Sequence, residues 1–340
     1  MPLWNKVRHF FSALQNSPAL DLRDILGNAN EWSWDNINNF DEVINNHYKG
    51  YAHKGFIYLY NEANRFERFY PKFSYSPTFY DYDTGFRLAR SVNLEPKMIE
   101  VSGGTFTRGE ENLQEVTVTD FEIAKYEITV KEWRYYIKSN KLKMPDEPNW
   151  GWHDNDPIMT VSWYEAIRYC NWLSTMDNLS PRYLINGEVL PQIDLTQEYV
   201  VTQDTLANGY RLPTEAEWEF AARGGNQSQG YEYSGAEYSD YVAWNNQLRV
   251  HKVGTKDANE LGIHDMSGNV FEWCWDNWAA YTQITEPINP QGPALAPQTG
   301  RVLRGGSWYN DAEYLLVSKR AYSAPLSRYT NFGFRIARDK

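Results

Sequence analysis

Residues 209–225 read GYRLPTEAEWEFAARGG, and residues 261–273 read LGIHDMSGNVFEW. The first stretch specifies a helix with both ends marked. Thr214 and Glu217 have capping-box spacing: the hydroxyl accepts from the third helical amide and the carboxylate reaches back to the cap. Pro213 precedes the cap, and Gly224 and Gly225 end the helix, because glycine takes the left-handed conformation that closes one. The spacing therefore predicts a helix over 214–223. The second stretch is rich in Gly and Asn and then runs into alternating aromatics, a pattern of turns with little regular structure.

Outward from these stretches, residues 129–139 and 162–175 read as helices, the second with Ser162 as N-cap. Residues 117–123 alternate like a strand, and Gly103-Gly104 marks a turn between two short strands. Residues 178–208 form an insertion with short strand-like runs. The expectation is an α+β fold with much irregular chain.

Composition narrows the function. The chain has 340 residues, a net charge of -11, 14 Trp and 25 Tyr. An acidic chain without a Lys/Arg cluster repels phosphate backbones, so no nucleic-acid partner is expected. No apolar run reaches membrane-spanning length and no signal peptide is evident, so no membrane insertion is expected. The default location is cytoplasmic, with surface display left open. The cysteines, Cys170 and Cys274, are too few for a disulfide framework and read as small buried hydrophobes.

The chain also repeats itself. GNANEWSWDN at 27–36 agrees with GNVFEWCWDN at 268–277 in seven of ten positions. GFRLAR at 85–90 matches GFRIAR at 333–338, and a proline precedes each by eight residues, Pro77 and Pro325. Residues 1–95 thus form an N-terminal region containing a degenerate half-copy, over 24–91, of the C-terminal third. Residues 96–340 form the main domain.

Five segments and a tail carry a family resemblance: MIEVSGGTFTRG (98–109), FEIAKYEITVKEW (121–133), DPIMTVSWYEAIRYCNWLS (156–174), the two opening stretches, and RVLRGGSW (301–308) with GFRIAR. Together they resemble the formylglycine-generating enzyme, or sulfatase-modifying factor, family. The resemblance implies a formylglycine-generating-enzyme-like fold with a C-type-lectin-like core. It also implies an oxidoreductase, using paired cysteine thiolates that hold copper. Counted from Gly305-Gly306-Ser307, those cysteines fall at Asn310 and Leu315, neither of which supplies a thiolate. A related branch makes sulfoxides at histidine-bound iron. The six histidines here, at 9, 47, 53, 153, 251 and 264, form no H-x-x-x-E-H pair. No catalytic residue is assigned, and neither copper nor iron is expected. The resemblance does imply a structural Ca²⁺ at Asp265, Gly268, Val270 and Glu272, hard oxygen ligands on a tight loop.

Some members of that family are ligand-binding proteins whose tails are varied by a diversity-generating retroelement at adenine-rich codons. The tail at 309–332 has such a layout. Arg320, Pro325, Arg328 and the GFR motif bracket ten residues, each reachable from an AAC codon by changing its first two letters. Lys, Glu, Gln, Met and Trp are not reachable, and none occurs there. The candidate ligand-binding residues are Tyr309, Asn310, Tyr314, Tyr322, Ser323, Leu326, Ser327, Tyr329, Thr330, Asn331 and Phe332. Tyr offers rigid amphipathic contact, while Ser and Asn adapt their hydrogen bonds, which is the chemistry of a paratope. Three readings stand side by side. One is a non-catalytic protein that binds a protein or glycan through the tail. Another is an oxidase of the formylglycine or iron type. A third is an accessory domain whose tail is covered.

Overall fold

A computed structural model describes residues 57–60, 66–69, 96–110, 113–190, 197–281, 286–293 and 300–340. The chain divides into two units, Met1–Asn93 and Leu94–Lys340. In the first, β1 (Ile57–Tyr60) pairs antiparallel with β2 (Phe66–Phe69). The half-copy over 24–91 otherwise lies outside the described residues.

In the second unit, three helices begin at their capping signals. α1 (Val130–Asn140), α2 (Trp163–Met176) and α3 (Glu215–Ala222) each open on a complete capping box, Thr129 with Glu132, Ser162 with Glu165 and Thr214 with Glu217. α1 and α2 meet through aromatic side chains. Trp133 and Tyr169 stack at 5.7 Å, and Phe334 of the GFR motif meets both edge-on, at 6.1 and 5.4 Å. These contacts fix the end of the tail to the helical layer.

The alternating run at 117–123 is two strands. β5 (Gln114–Val118) pairs with β4 (Gly104–Arg108). β6 (Phe121–Ala124) lies between β3 (Met98–Val101) and β14 (Ala337–Asp339) in another sheet. Val118 and Phe121 are both buried, so the alternation slips by one residue at Thr119 and Asp120. Asp120 Oδ1 accepts from Gly103 N at 2.9 Å, and Thr119 N donates to Asn289 Oδ1 at 2.9 Å. The Gly103-Gly104 turn likewise joins strands of different sheets. The insertion folds as β7 (Tyr183–Ile185), β8 (Glu188–Val189) and β9 (Val201–Gln203), in the order β8-β7-β9.

A four-stranded sheet carries the tail, in the order β12-β11-β10-β13. It comprises β10 (Phe271–Asn277), β11 (Arg301–Arg304), β12 (Arg320–Ser323) and β13 (Phe332–Gly333). The chain leaves this sheet after Arg304, returns at Arg320, leaves again after Ser323 and rejoins beside β10. Its two excursions carry Tyr309, Tyr314 and Tyr329, and β12 itself carries Tyr322. The α3 helix packs against β4, β5, β10 and β11 and is buried along its whole length. This is an α+β fold. No helix among the described residues is long and apolar enough to cross a membrane.

Candidate functional site

Arginine–glutamate pairs hold the tail in place. Arg304 is fully buried, pairs with Glu219 and donates to the carbonyls of Val317 (2.9 Å), Ser318 (3.0 Å) and Lys319. Arg320 grips Glu215 with two bonds of 2.6 Å and reaches Ala279 O at 2.8 Å. Arg328 reaches Glu165 at 2.8 Å, and Pro325 O accepts from Trp163 N at 3.0 Å. Arg335 grips Glu272 at 2.6 and 2.7 Å and donates to Ala124 O and His264 O. Buried guanidinium and carboxylate groups are tolerable only when paired and hydrogen-bonded, so the Arg304, Arg320 and Arg335 pairs each fix a strand end or loop, while the Arg328–Glu165 pair lies nearer the surface. The excursion after β11 starts with Gly305 and Gly306 at φ of 90° and 70°. A Cβ on Gly306 would lie 2.7 Å from Tyr314 O, so glycine is required there.

On this frame the tyrosines face outward. Tyr309 is 70% exposed, Tyr322 and Tyr329 are each 56% exposed, and Tyr314 is 44% exposed. Thr330 is also exposed, while Ser323 and Ser327 are half-buried. Of the other candidate ligand-binding residues, Phe332 is buried and Leu326, Asn310 and Asn331 are half-buried. Phe332 is 8% exposed and packs edge-on to Trp273 at 5.3 Å, because β13 places it in the sheet interior. Leu326 is half-buried against the main core. Asn310 accepts from Ser307 Oγ at 2.5 Å, and Asn331 Nδ2 donates to the same oxygen at 3.2 Å. Both amides therefore brace the loops.

The same contacts describe the positions where the family resemblance implies cysteines. Ser307 is buried between the amides of Asn310 and Asn331. Leu315 is fully buried and lies beneath Gly306. Cys170 and Cys274 are buried and free, and burial raises both thiols far above their ordinary range. Neither can supply a thiolate at neutral pH.

Of the four implied calcium ligands, Glu272 is already engaged by other groups. Both oxygens of Glu272 bind Arg335, and Oε2 also accepts from Trp218 Nε1 at 2.7 Å. Val270 N donates to Glu127 at 3.1 Å, and Asn269 Nδ2 donates to the same carboxylate at 2.7 Å. Gly268, at φ 90°, donates its N–H to Gly305 O at 2.8 Å. The loop is thus tied by Glu127 and Arg335. Asp265 accepts from Gly254 N at 2.6 Å and keeps one buried oxygen without a partner. Glu127 escaped the sequence reading because nothing near it marks a buried carboxylate.

Burial pushes Asp265 up to about 6 and Asp276 up to about 7, with Glu215 adding to the second shift. Asp276 Oδ2 accepts from Glu215 N at 2.8 Å, while its other oxygen is buried without a partner. A carboxyl raised by folding binds its proton more tightly in the native state. Its contribution is full below the unfolded value and is lost as pH rises through the folded one. Urea melts between about pH 5 and pH 8 should therefore show stability falling as pH rises. Asp276→Asn should flatten that slope, and an unchanged slope would remove Asp276 as its source.

A second tyrosine-bearing segment flanks the tail and was missed from the sequence. Tyr238, Tyr241 and Leu248 are exposed, Leu248 to 92%. Gln247 N donates to Trp308 O at 2.7 Å and Asn246 N to Asn310 O at 3.1 Å. The available signal was YEYSGAEYSDY at 231–241, aromatic and acidic with no base.

The sulfatase-modifying factor enzyme 1-like domain family matches residues 91–340. Chaperone protein LppX of Paenibacillus barcinonensis is 35% identical over 276 residues, covering 74% of this chain and 92% of that protein. The formylglycine-generating enzyme of Mus musculus is 27% identical over 234 residues, covering 62% of this chain and 52% of that enzyme. Among solved structures, Treponema denticola variable protein 1 superposes with a TM-score of 0.63 at 31% identity, covering 72% of this chain and 95% of that one.

Proposed function

This chain belongs to the sulfatase-modifying factor enzyme 1-like family, and within it we propose a non-catalytic binding protein that takes a polypeptide ligand on its C-terminal tail. The observation that carries this reading is the contrast between frame and tail. Arg304, Arg320 and Arg335 sit on buried glutamates, while Tyr309, Tyr314, Tyr322 and Tyr329 point outward between them. Such a frame holds the loops without help from those tyrosines, which leaves the outward positions free to vary. Thr330, Ser323 and Ser327 supply polar contacts beside the rings. The likeness to a protein named variable protein 1 agrees with this division. A polypeptide is favoured over a glycan because a relative matched over most of its length is named a chaperone. Diversification by a retroelement belongs to the same proposal. It requires a reverse transcriptase gene and an Asn-rich near-repeat of the tail beside this gene.

Selection of a displayed random peptide library against the folded protein tests the reading. Enriched clones should lose binding to Tyr309→Ala/Tyr329→Ala while the melting temperature holds. No enrichment, or equal binding to the variant, would refute it. The oxidase alternative rests on the mouse relative's activity. With Asn310 and Leu315 where the thiolates would stand, incubation with copper and a Cys-x-Pro-x-Arg peptide should form no aldehyde above a no-protein control.

A further inference from the structure

The tail is bordered by a surface with a chemistry of its own. Residues 231–249 run along it and are fastened at both ends. At one end Val317 N donates to Glu232 O at 2.9 Å, and Ser267 Oγ bridges Ser234 N (3.1 Å) and Leu315 O (2.9 Å). At the other, Asn246 and Gln247 donate to the tail's Asn310 and Trp308 carbonyls. Tyr238 and Tyr241 on this segment are as open as the tail tyrosines, and Leu248 is more so. A single exposed leucine needs no explanation. Several large apolar groups beside a tyrosine-rich tail form a patch of the kind that marks an interaction surface.

Charge identifies what the patch takes. Glu232, Glu237 and Asp240 on the segment, and Asp311 and Glu313 on the tail, are exposed. None of the five enters an ion pair among the described residues, whereas Glu110, Asp154 and Glu100 each hold a base. Two bases flank the patch. Lys256 bonds the Asp240 carbonyl and sits over Trp244 at 4.5 Å, leaving the Asp240 carboxylate open, and Arg249 is exposed beside Leu248.

We infer that residues 231–249 form a fixed half of the binding surface, and that the partner lays a Lys/Arg-rich polypeptide segment across it. The aliphatic stems lie on the tyrosine rings and Leu248, the cations face the ring π-clouds, and the unpaired carboxylates supply the counter-charge. The tail then selects among partners that share this basic segment. The inference rests on the binding reading above and adds the ligand's charge and a second set of contacts.

Titration calorimetry on the full chain tests it with a synthetic dodecapeptide of Lys, Arg, Gly and Ser, and with its counterpart carrying Glu at each basic position. The basic peptide should bind saturably, the acidic one should not, and raising the salt should weaken binding. Tyr238→Ala/Tyr241→Ala and, separately, Glu237→Gln/Asp240→Asn should each weaken it about tenfold, the size expected when charge and ring contacts are lost from such a surface. The charge pair is isosteric and exposed, so it carries the test if the tyrosine changes disturb folding. Absence of binding, or equal binding by both variants, overturns the inference. The library selection is independent of it: clones that depend on Tyr309 and Tyr329 but carry no bases would leave the tail reading standing and this one refuted.

Discussion

Glu272→Ala is expected to lower the unfolding free energy by about 3–5 kcal/mol, the cost of leaving a buried charge without its partner. Glu272 is fully buried, and so is Arg335, which it holds through two bonds. The change removes the carboxylate and leaves the guanidinium hydrogen-bonded only to the Ala124 and His264 carbonyls, with Glu127 and Asp265 as more distant counter-charges. It also strips Trp218 Nε1 of its acceptor. Arg335 joins three parts of the molecule: the β6 edge, the 261–273 stretch and the GFR motif. Losing its anchor should therefore loosen all three together. Glu272→Gln keeps an acceptor for Trp218 and should cost less. Denaturant melts give both numbers, and a loss below about 1 kcal/mol for the alanine variant would contradict the pairing, since a broken buried pair costs several times that. The same melts bear on calcium. With Glu272 committed to Arg335, a chelator should leave the parent's melting temperature in place. A fall that disappears in Glu272→Ala would return the carboxylate to a metal site, by the mass action through which a ligand stabilises what it binds.

The parts legible in the sequence were those governed by local chemistry. A hydroxyl three residues before a glutamate predicts a helix start regardless of what packs around it, and the Thr214–Glu217 box and the Ser162 cap hold. Long-range contacts were not legible. The α3 helix carries Glu215, Glu217 and Glu219, a residue type that is mostly exposed. All three are buried: Arg320 and Arg304 arrive from β12 and β11 to meet Glu215 and Glu219, and Arg211, six residues upstream, meets Glu217. Arg320 and Glu215 are 105 residues apart in the chain, a separation that periodicity does not register. The same limit applies to Phe332. Residues 328–330, just before it, are exposed, but two-residue pairing with β10 turns its ring inward. The flanking segment at 231–249 was missed for a related reason: only the fold shows that its backbone bonds the tail.

Phe334→Ala is expected to cost about 3–5 kcal/mol, as removing a buried aromatic does, while Tyr309→Ala and Tyr329→Ala, exposed with one edge-on ring contact each, should stay within about 1 kcal/mol. Phe334 is fully buried and its ring meets Trp133 and Tyr169, so its removal opens a cavity where the tail's end meets the helices. Trp308→Ala belongs to the same class. Its ring packs edge-on to Trp150 at 5.3 Å and its Nε1 donates to Thr330 O at 3.2 Å, which ties the two excursions of the tail together. Two residues of the tail lie at the upper end of the smaller cost. Leu326 packs against the core and should cost about 1 kcal/mol on truncation, the share of a half-buried side chain. Tyr322 lies 4.7 Å from the Trp278 ring and should lose a contact of about 0.5–1.5 kcal/mol. Denaturant melts of these six variants order the positions by what holds them. A binding surface that can vary requires a gap between the classes, because each accepted change at Tyr309 or Tyr329 must leave the arginine-anchored frame intact. If Tyr309→Ala and Tyr329→Ala cost as much as Phe334→Ala, the tyrosines are themselves part of the frame. The tail could then not change its contacts without unfolding the domain, and the binding reading would lose its physical basis.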